Sequence, residues 1–127
     1  MTSPAYKRLS SALSAVVFVL LIAACKFFWD AATLHIHVAF ASEQTEIFDN
    51  MRTQALSADA VGAAQSLDYV VHYYPSGTKQ VRGSLLDQMV ERERTNTILE
   101  IIAHLRTKTG EDLGDNAEKW IQKYAVR

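Results

Sequence analysis

The sequence predicts an all-α protein, in which one long N-terminal transmembrane helix continues into a small helical bundle. Three observations carry this prediction. No proline or glycine occurs between Pro4 and Gly62, and these are the residue types that most readily stop a helix. That stretch opens with an uncharged, almost wholly apolar run, Ala12–Cys25. Beyond Ser57, apolar residues recur at helical spacing between glycine and proline punctuation, and no second alternating segment exists to pair as a sheet.

Residues 1–9 form a short N-terminal tail, expected in the cytoplasm, and Ser10 to Trp29 form the anchor. A span needs roughly 20 mostly apolar residues, because the hydrocarbon core is about 30 Å thick and a helix rises about 1.5 Å per residue. Lys26 is the one charge in the anchor. So near the end, its stem lies along lipid while the ammonium reaches the headgroups. Phe27, Phe28 and Trp29 suit an interfacial aromatic belt, with Asp30 at the exit into water. Lys7 and Arg8 precede the span, so the positive-inside bias directs residues 30–127 out of the cytoplasm.

Two other readings of this leader stand beside the uncleaved anchor. Ile22-Ala23-Ala24-Cys25 resembles the lipobox of bacterial lipoproteins, which implies lipidation at Cys25 and a bacterial envelope. Ala39-Phe40-Ala41 has an A-x-A cleavage pattern but lies well past the apolar run. All three readings give the same expected place, the outer side of a bacterial cytoplasmic membrane.

Residues 30–56 are expected to form a membrane-proximal helix. One stripe joins Phe27, Ala31, Leu34, Val38, Ala41, Thr45 and Phe48; a second joins Ile36, Phe40, Ile47 and Met51. Together they make a wide apolar face, suited to packing on a partner. Residues 57–127 are expected to form a small helical domain. Ser57 is a candidate N-cap for a helix whose face carries Ala60, Ala64, Leu67, Val71 and Tyr74, with Ala63 and Val70 beside them. Pro75 ends that helix, and a polar connector runs on to Gly83.

Ser84 and Asp87 read as a capping box with Asp in the place of the usual Glu. The helix they open carries Leu86, Met89, Val90, Thr97, Ile98, Ile101, Ile102 and Leu105 and closes at Gly110. Its stripe is interrupted by Glu91-Arg92-Glu93-Arg94, so Glu93 or Arg94 must lean toward the packed side, most simply as a salt-bridged edge residue. Asp115 is placed to cap a last helix, whose Trp120 is expected to dock on the preceding hairpin.

The segment Leu105–Trp120, with its Thr109-Gly110-Glu-Asp-Leu113-Gly114 element, resembles the closing segment of bacterial HEAT-repeat-like proteins. The resemblance covers residues 57–127 and implies helical packing. Such arrays stack three or more units, whereas this chain carries one helix pair, so a solenoid is not expected.

Composition narrows the function further. The formal charge of −1 leaves no basic footprint for nucleic acid. A single cysteine excludes an intramolecular disulfide framework. His35 and His37 are two apart, which on a helix sets them about 200° apart and prevents shared ligation of one metal. Glu100 and His104 share a face but lack further ligands. Ser76-Gly-Thr-Lys79 lacks the phosphate-loop pattern, and no nucleophile, base and orienting group can be named together. No cofactor and no catalytic activity are therefore expected.

The expected role is a membrane-anchored interaction or scaffold module for a protein partner or a second copy. Phe40, Ile47, Met51 and Tyr73 are its candidate surface. The alternative is an envelope lipoprotein, lipidated at Cys25, with a structural or assembly role.

Overall fold

The computed structural model describes residues 4–73, 75 and 77–125. All regular elements among the described residues are helical: α1 (Pro4–Ser57), α2 (Ala60–His72), α3 (Leu85–Thr109) and α4 (Ala117–Tyr124). Packing divides the chain into two compact units, residues 1–36 and 37–127.

In the first unit, the apolar side chains of α1 from Leu9 to Trp29 are all exposed. Lys26 pairs with Asp30 one turn on, at 3.7 Å, with both side chains in the open. The Thr33 hydroxyl donates back to the Trp29 carbonyl at 2.9 Å. This helix is long and apolar enough to cross a membrane, and none of its apolar window is buried in protein.

The second unit has its own core. Ala41, Phe48 and Ala55 from α1 join Ala63, Ala64, Leu67 and Val70 of α2, Val90, Ile101, Ile102 and Leu105 of α3, and Trp120 and Ile121 of α4. The compact unit thus begins at His37 and takes in residues 37–56 of the expected membrane-proximal segment, which is continuous with the first unit in α1. Of the two stripes on α1, only Ala41 and Phe48 are buried, with Gln44 between them. Phe27, Leu34, Ile36 and Val38 remain exposed.

The helix ends follow the capping chemistry with local changes of residue. α2 is capped by Asp59, whose carboxylate accepts from the Gly62 amide at 2.9 Å. Ser57, the expected cap, instead ends α1, its hydroxyl bonded to the Gln54 carbonyl at 3.0 Å. A carboxylate at this place also meets the positive end of the α2 dipole. The buried face of α2 is Ala63, Ala64, Ser66, Leu67 and Val70, all but Ser66 on the expected face, and Ala60 and Val71 are partly buried against the core; Tyr74 lies outside the described residues.

Ser84 caps α3 as expected, accepting from the Asp87 amide at 3.2 Å. Gly110 closes α3 with φ +72, the left-handed conformation glycine adopts without strain. Met89, expected on the packed stripe, is exposed. α4 is capped by Asn116, not by Asp115. The Asp115 carboxylate is occupied by Arg106, at 2.7 Å from Nη2, while Asp112 accepts from Nε at 2.9 Å.

Trp120 is fully buried, with its indole N–H donated to the Gly114 carbonyl at 2.8 Å. Burying an indole requires such an acceptor, and Gly114 supplies it from the turn just before α4. Arg94 is the residue that leans inward. Its guanidinium takes both Glu91 oxygens at 3.0 Å and donates through Nη1 to the Val71 carbonyl at 3.0 Å. That carbonyl lies in the last turn of α2, where acceptors lack helical partners.

Candidate interaction surface

The connector between α2 and α3 is more than a polar loop. Asp87 is buried, and its carboxylate accepts from the backbone amides of Gly77 and Gly83, each at 2.8 Å. The capping box expected at Ser84 is therefore only half formed. Ser84 receives the Asp87 amide, but Asp87 reaches back into the connector, and the Ser84 amide goes to the Val81 carbonyl at 2.9 Å. Gly77 and Gly83 have φ of +76 and +78. Their conformation turns the two amides onto one carboxylate, and each bond is charge-assisted.

Held this way, the connector lies against α1. Gln80 is buried, and its amide donates to the His37 carbonyl at 3.0 Å and faces the Gln44 carbonyl oxygen at 3.4 Å. The His37 ring Nδ1 lies 3.3 Å from the Lys79 carbonyl. Lys79 reaches Glu43 at 3.1 Å, with its ammonium 5.1 Å from the Phe40 ring centroid. Residues 37–44 of α1 are thus covered on one side by a strap whose anchor, Asp87, is in α3.

A second set of contacts lies where α1 ends and α2 begins. A cavity of about 380 Å³ is lined by Met51, Gln54, Gly62, Gln65 and Tyr69 among others. Gly62 and Ala58 approach closely in its lining, where a Cβ on Gly62 would meet the Ala58 Cβ at 2.9 Å. Tyr69 is shared with a cavity of about 280 Å³, lined also by Asp68, His72 and Tyr73. The Tyr69 and Tyr73 rings stack at 4.4 Å between centroids, and Tyr73 is 54% exposed.

His72 closes this end of the surface. Its Nδ1 is 2.8 Å from an Asp68 carboxylate oxygen and its Nε2 is 2.9 Å from Glu118 of α4. Burial works to lower its pKa, but the hydrogen bonds to Asp68 and the fields of Glu118 and Asp68 outweigh it and raise the pKa above the ordinary value. In the turn before α4, Lys123 and the Tyr124 hydroxyl donate to Glu111, and these bonds hold its carboxyl below the ordinary value.

The four candidate surface residues separate into different environments. Met51 and Tyr73 line neighbouring cavities joined through Tyr69. Phe40 of α1 lies under the Lys79 ammonium of the strap and stays exposed, and Ile47 is half-buried. Cys25 is exposed on α1 in the first unit. His35 is exposed while His37 meets the strap. Glu100 pairs with Arg52 at 3.6 Å rather than with His104, whose Nε2 is buried with no hydrogen-bond partner among the described residues.

Three features are not legible in the residue pattern as first met: the Asp87 anchor, the buried Gln80, and the His72 bridge. Asp87 carries a signal, since an acid three residues after a cap and soon after two glycines is well placed to take loop amides. Gln80 carries none. No family model, no curated protein and no solved structure matches this chain.

Proposed function

We propose that the chain is a membrane-anchored helical module that presents a protein-binding surface beside the bilayer and performs no chemistry of its own. One observation carries this reading. Within α1, the residues from Leu9 to Trp29 are apolar on every side and exposed on every side, whereas from Ala41 onward one side is buried in a protein core. A helix apolar all round requires an apolar surrounding, and lipid supplies it without loss of backbone hydrogen bonds. Lys7 and Arg8 before the span support a cytoplasmic N-terminus in this reading, with residues 37–127 on the other side.

The binding surface in this reading is the aromatic and amide-rich tract from Met51 and Gln65 through Tyr69 to Tyr73, with Phe40 and Ile47 as secondary contacts. Tyrosine offers a large rigid contact area with a polar tip, which suits partner recognition. A protein partner or a second copy occupies it; neither a cofactor nor nucleic acid enters the reading. The HEAT-like resemblance of residues 57–127 is compatible with a binding role and assigns none to a named residue.

Fractionation combined with site-specific cross-linking tests both parts. With photoreactive groups at positions 73 and 40, carbonate-washed membranes are expected to retain the protein, and position 73 to yield the stronger cross-linked product. Protein released to the supernatant at full length would overturn the anchor. A monomer-only pattern at both positions would overturn the binding surface. Intact mass decides the lipoprotein alternative, because lipidation at Cys25 removes residues 1–24 and adds acyl chains, and Cys25→Ala abolishes both changes.

A further inference from the structure

His72 sits between two carboxylates on two different helices. Nδ1 lies 2.8 Å from Asp68 Oδ1 and 3.1 Å from the Asp68 carbonyl, while Nε2 lies 2.9 Å from Glu118 Oε1. An ionised carboxylate and a carbonyl only accept hydrogen bonds, so both ring nitrogens must donate. Both donate only in the imidazolium. Removing either proton leaves a ring lone pair facing an oxygen at hydrogen-bond distance, where attraction turns to repulsion.

We propose that His72 is a proton-dependent latch holding α4 to α2. α4 contributes Glu118 from its first turn and buries Trp120 and Ile121 in the core. Those two side chains keep α4 in place in either protonation state, and the bridge sets how often the helix opens locally. Tyr69 and Tyr73 share its cavity, and Arg94 of α3, one residue away at the Val71 carbonyl, is paired with Glu91.

The sign follows from the raised pKa of His72. The bridge is complete below the unfolded-state value near 6.5, as long as the carboxylates are ionised, and is lost as pH rises through the higher folded-state value. His72 is 55% exposed, so screening limits the effect to the range of exposed ion pairs. The latch rests on the packing of α4 and is independent of which face of a membrane the module occupies.

The test uses the full chain in detergent micelles. The His72 ring protons are followed by NMR against pH, and amide exchange of residues 117–124 is measured at pH 6 and pH 8 with intrinsic rates corrected. In the wild type the ring should titrate above 6.5, and α4 protection should fall by about two- to fivefold between the two pH values. Glu118→Gln should lower the ring's midpoint, and His72→Gln should abolish the pH-dependent change in α4 while the rest of the core keeps its protection. A wild-type midpoint at or below 6.5 would overturn the latch. So would His72→Gln retaining the pH-dependent protection, since His35, His37 and His104 remain in that variant.

Discussion

Leu13, Val17, Leu20 and Leu21 in the first half of α1 are exposed, as are their neighbours on every side of the helix. In the second half, Ala41, Gln44, Phe48 and Ala55 form one buried line, while Ser42, Glu43, Glu46, Asp49 and Asn50 are exposed. One helix thus carries two solutions to the same problem. The first half has no polar side to turn outward, so no rotation of the helix reconciles it with water. The second half has a polar side and buries Ala41, Phe48 and Ala55 in the core shared with the other helices. Helix formation is common to both halves, and what differs is the medium each demands.

The sharpest way to break this comparison is to damage one half and ask whether the other responds. Trp120→Ala removes the largest buried side chain of the second unit. It should cost about 3–5 kcal/mol of that unit's stability, most of what a small domain has. Thermal melting in detergent would show it, and the membrane-bound fraction should stay unchanged. If the substitution released the protein from membranes, the two halves would not be separable.

Leu20→Arg is the reciprocal change. An arginine at the centre of a span costs about 2.5–3.5 kcal/mol on the insertion scale, so the membrane-retained fraction should drop several-fold. The melting temperature of the solubilised second unit should match the wild type, since Leu20 is exposed and lies in the other unit. A substantial fall in melting temperature would mean that the first half is packed against protein.

Asp87→Ala probes the strap and should have the smallest of the three effects. It strands the Gly77 and Gly83 amides, each of which donates to that carboxylate. A loss of about 1–3 kcal/mol is expected for unsatisfied groups of this kind, together with faster amide exchange at Gly77, Gly83 and Gln80. Asp87→Asn, which keeps one carbonyl acceptor, should fall between the two. Unchanged exchange at Gln80 would show that the strap is held by its contacts to α1 alone.

Much of the fold is legible in the order of residues. The absence of helix breakers up to Gly62 and the cap at Ser84 are local signals, and α1 and the start of α3 follow them. The closing glycine at position 110 is another signal of the same local kind. Ser57 and Asp115, expected as caps, show the limit of such signals. In each case a better-placed acceptor one or two residues on, Asp59 or Asn116, caps the helix. Asp115 is also drawn away by Arg106.

The candidate site is less legible, because its parts come from distant stretches of chain. Tyr73 stands out in the sequence as an aromatic beside a proline corner, and its stacking on Tyr69 is a local i, i+4 contact, but the cavity that runs from Tyr69 to Met51 depends on how α1 and α2 meet. Helical spacing alone groups Phe40 and Ile47 with Met51, and packing separates them. Lys79 of the strap lies over the Phe40 ring, which stays exposed, and Ile47 turns partly inward.

The amino-acid order alone determined that this chain is helical throughout its regular elements and that its leader is apolar without a polar face. Both properties arise from neighbours within a turn or two, where propensity and side-chain period act directly. Tertiary structure decided where the compact unit begins, which acid closes the connector, and that His72 faces Glu118 across 46 positions of chain. Those outcomes depend on which surfaces meet when helices pack, and a contact between distant residues leaves no trace in the spacing of either one's neighbours.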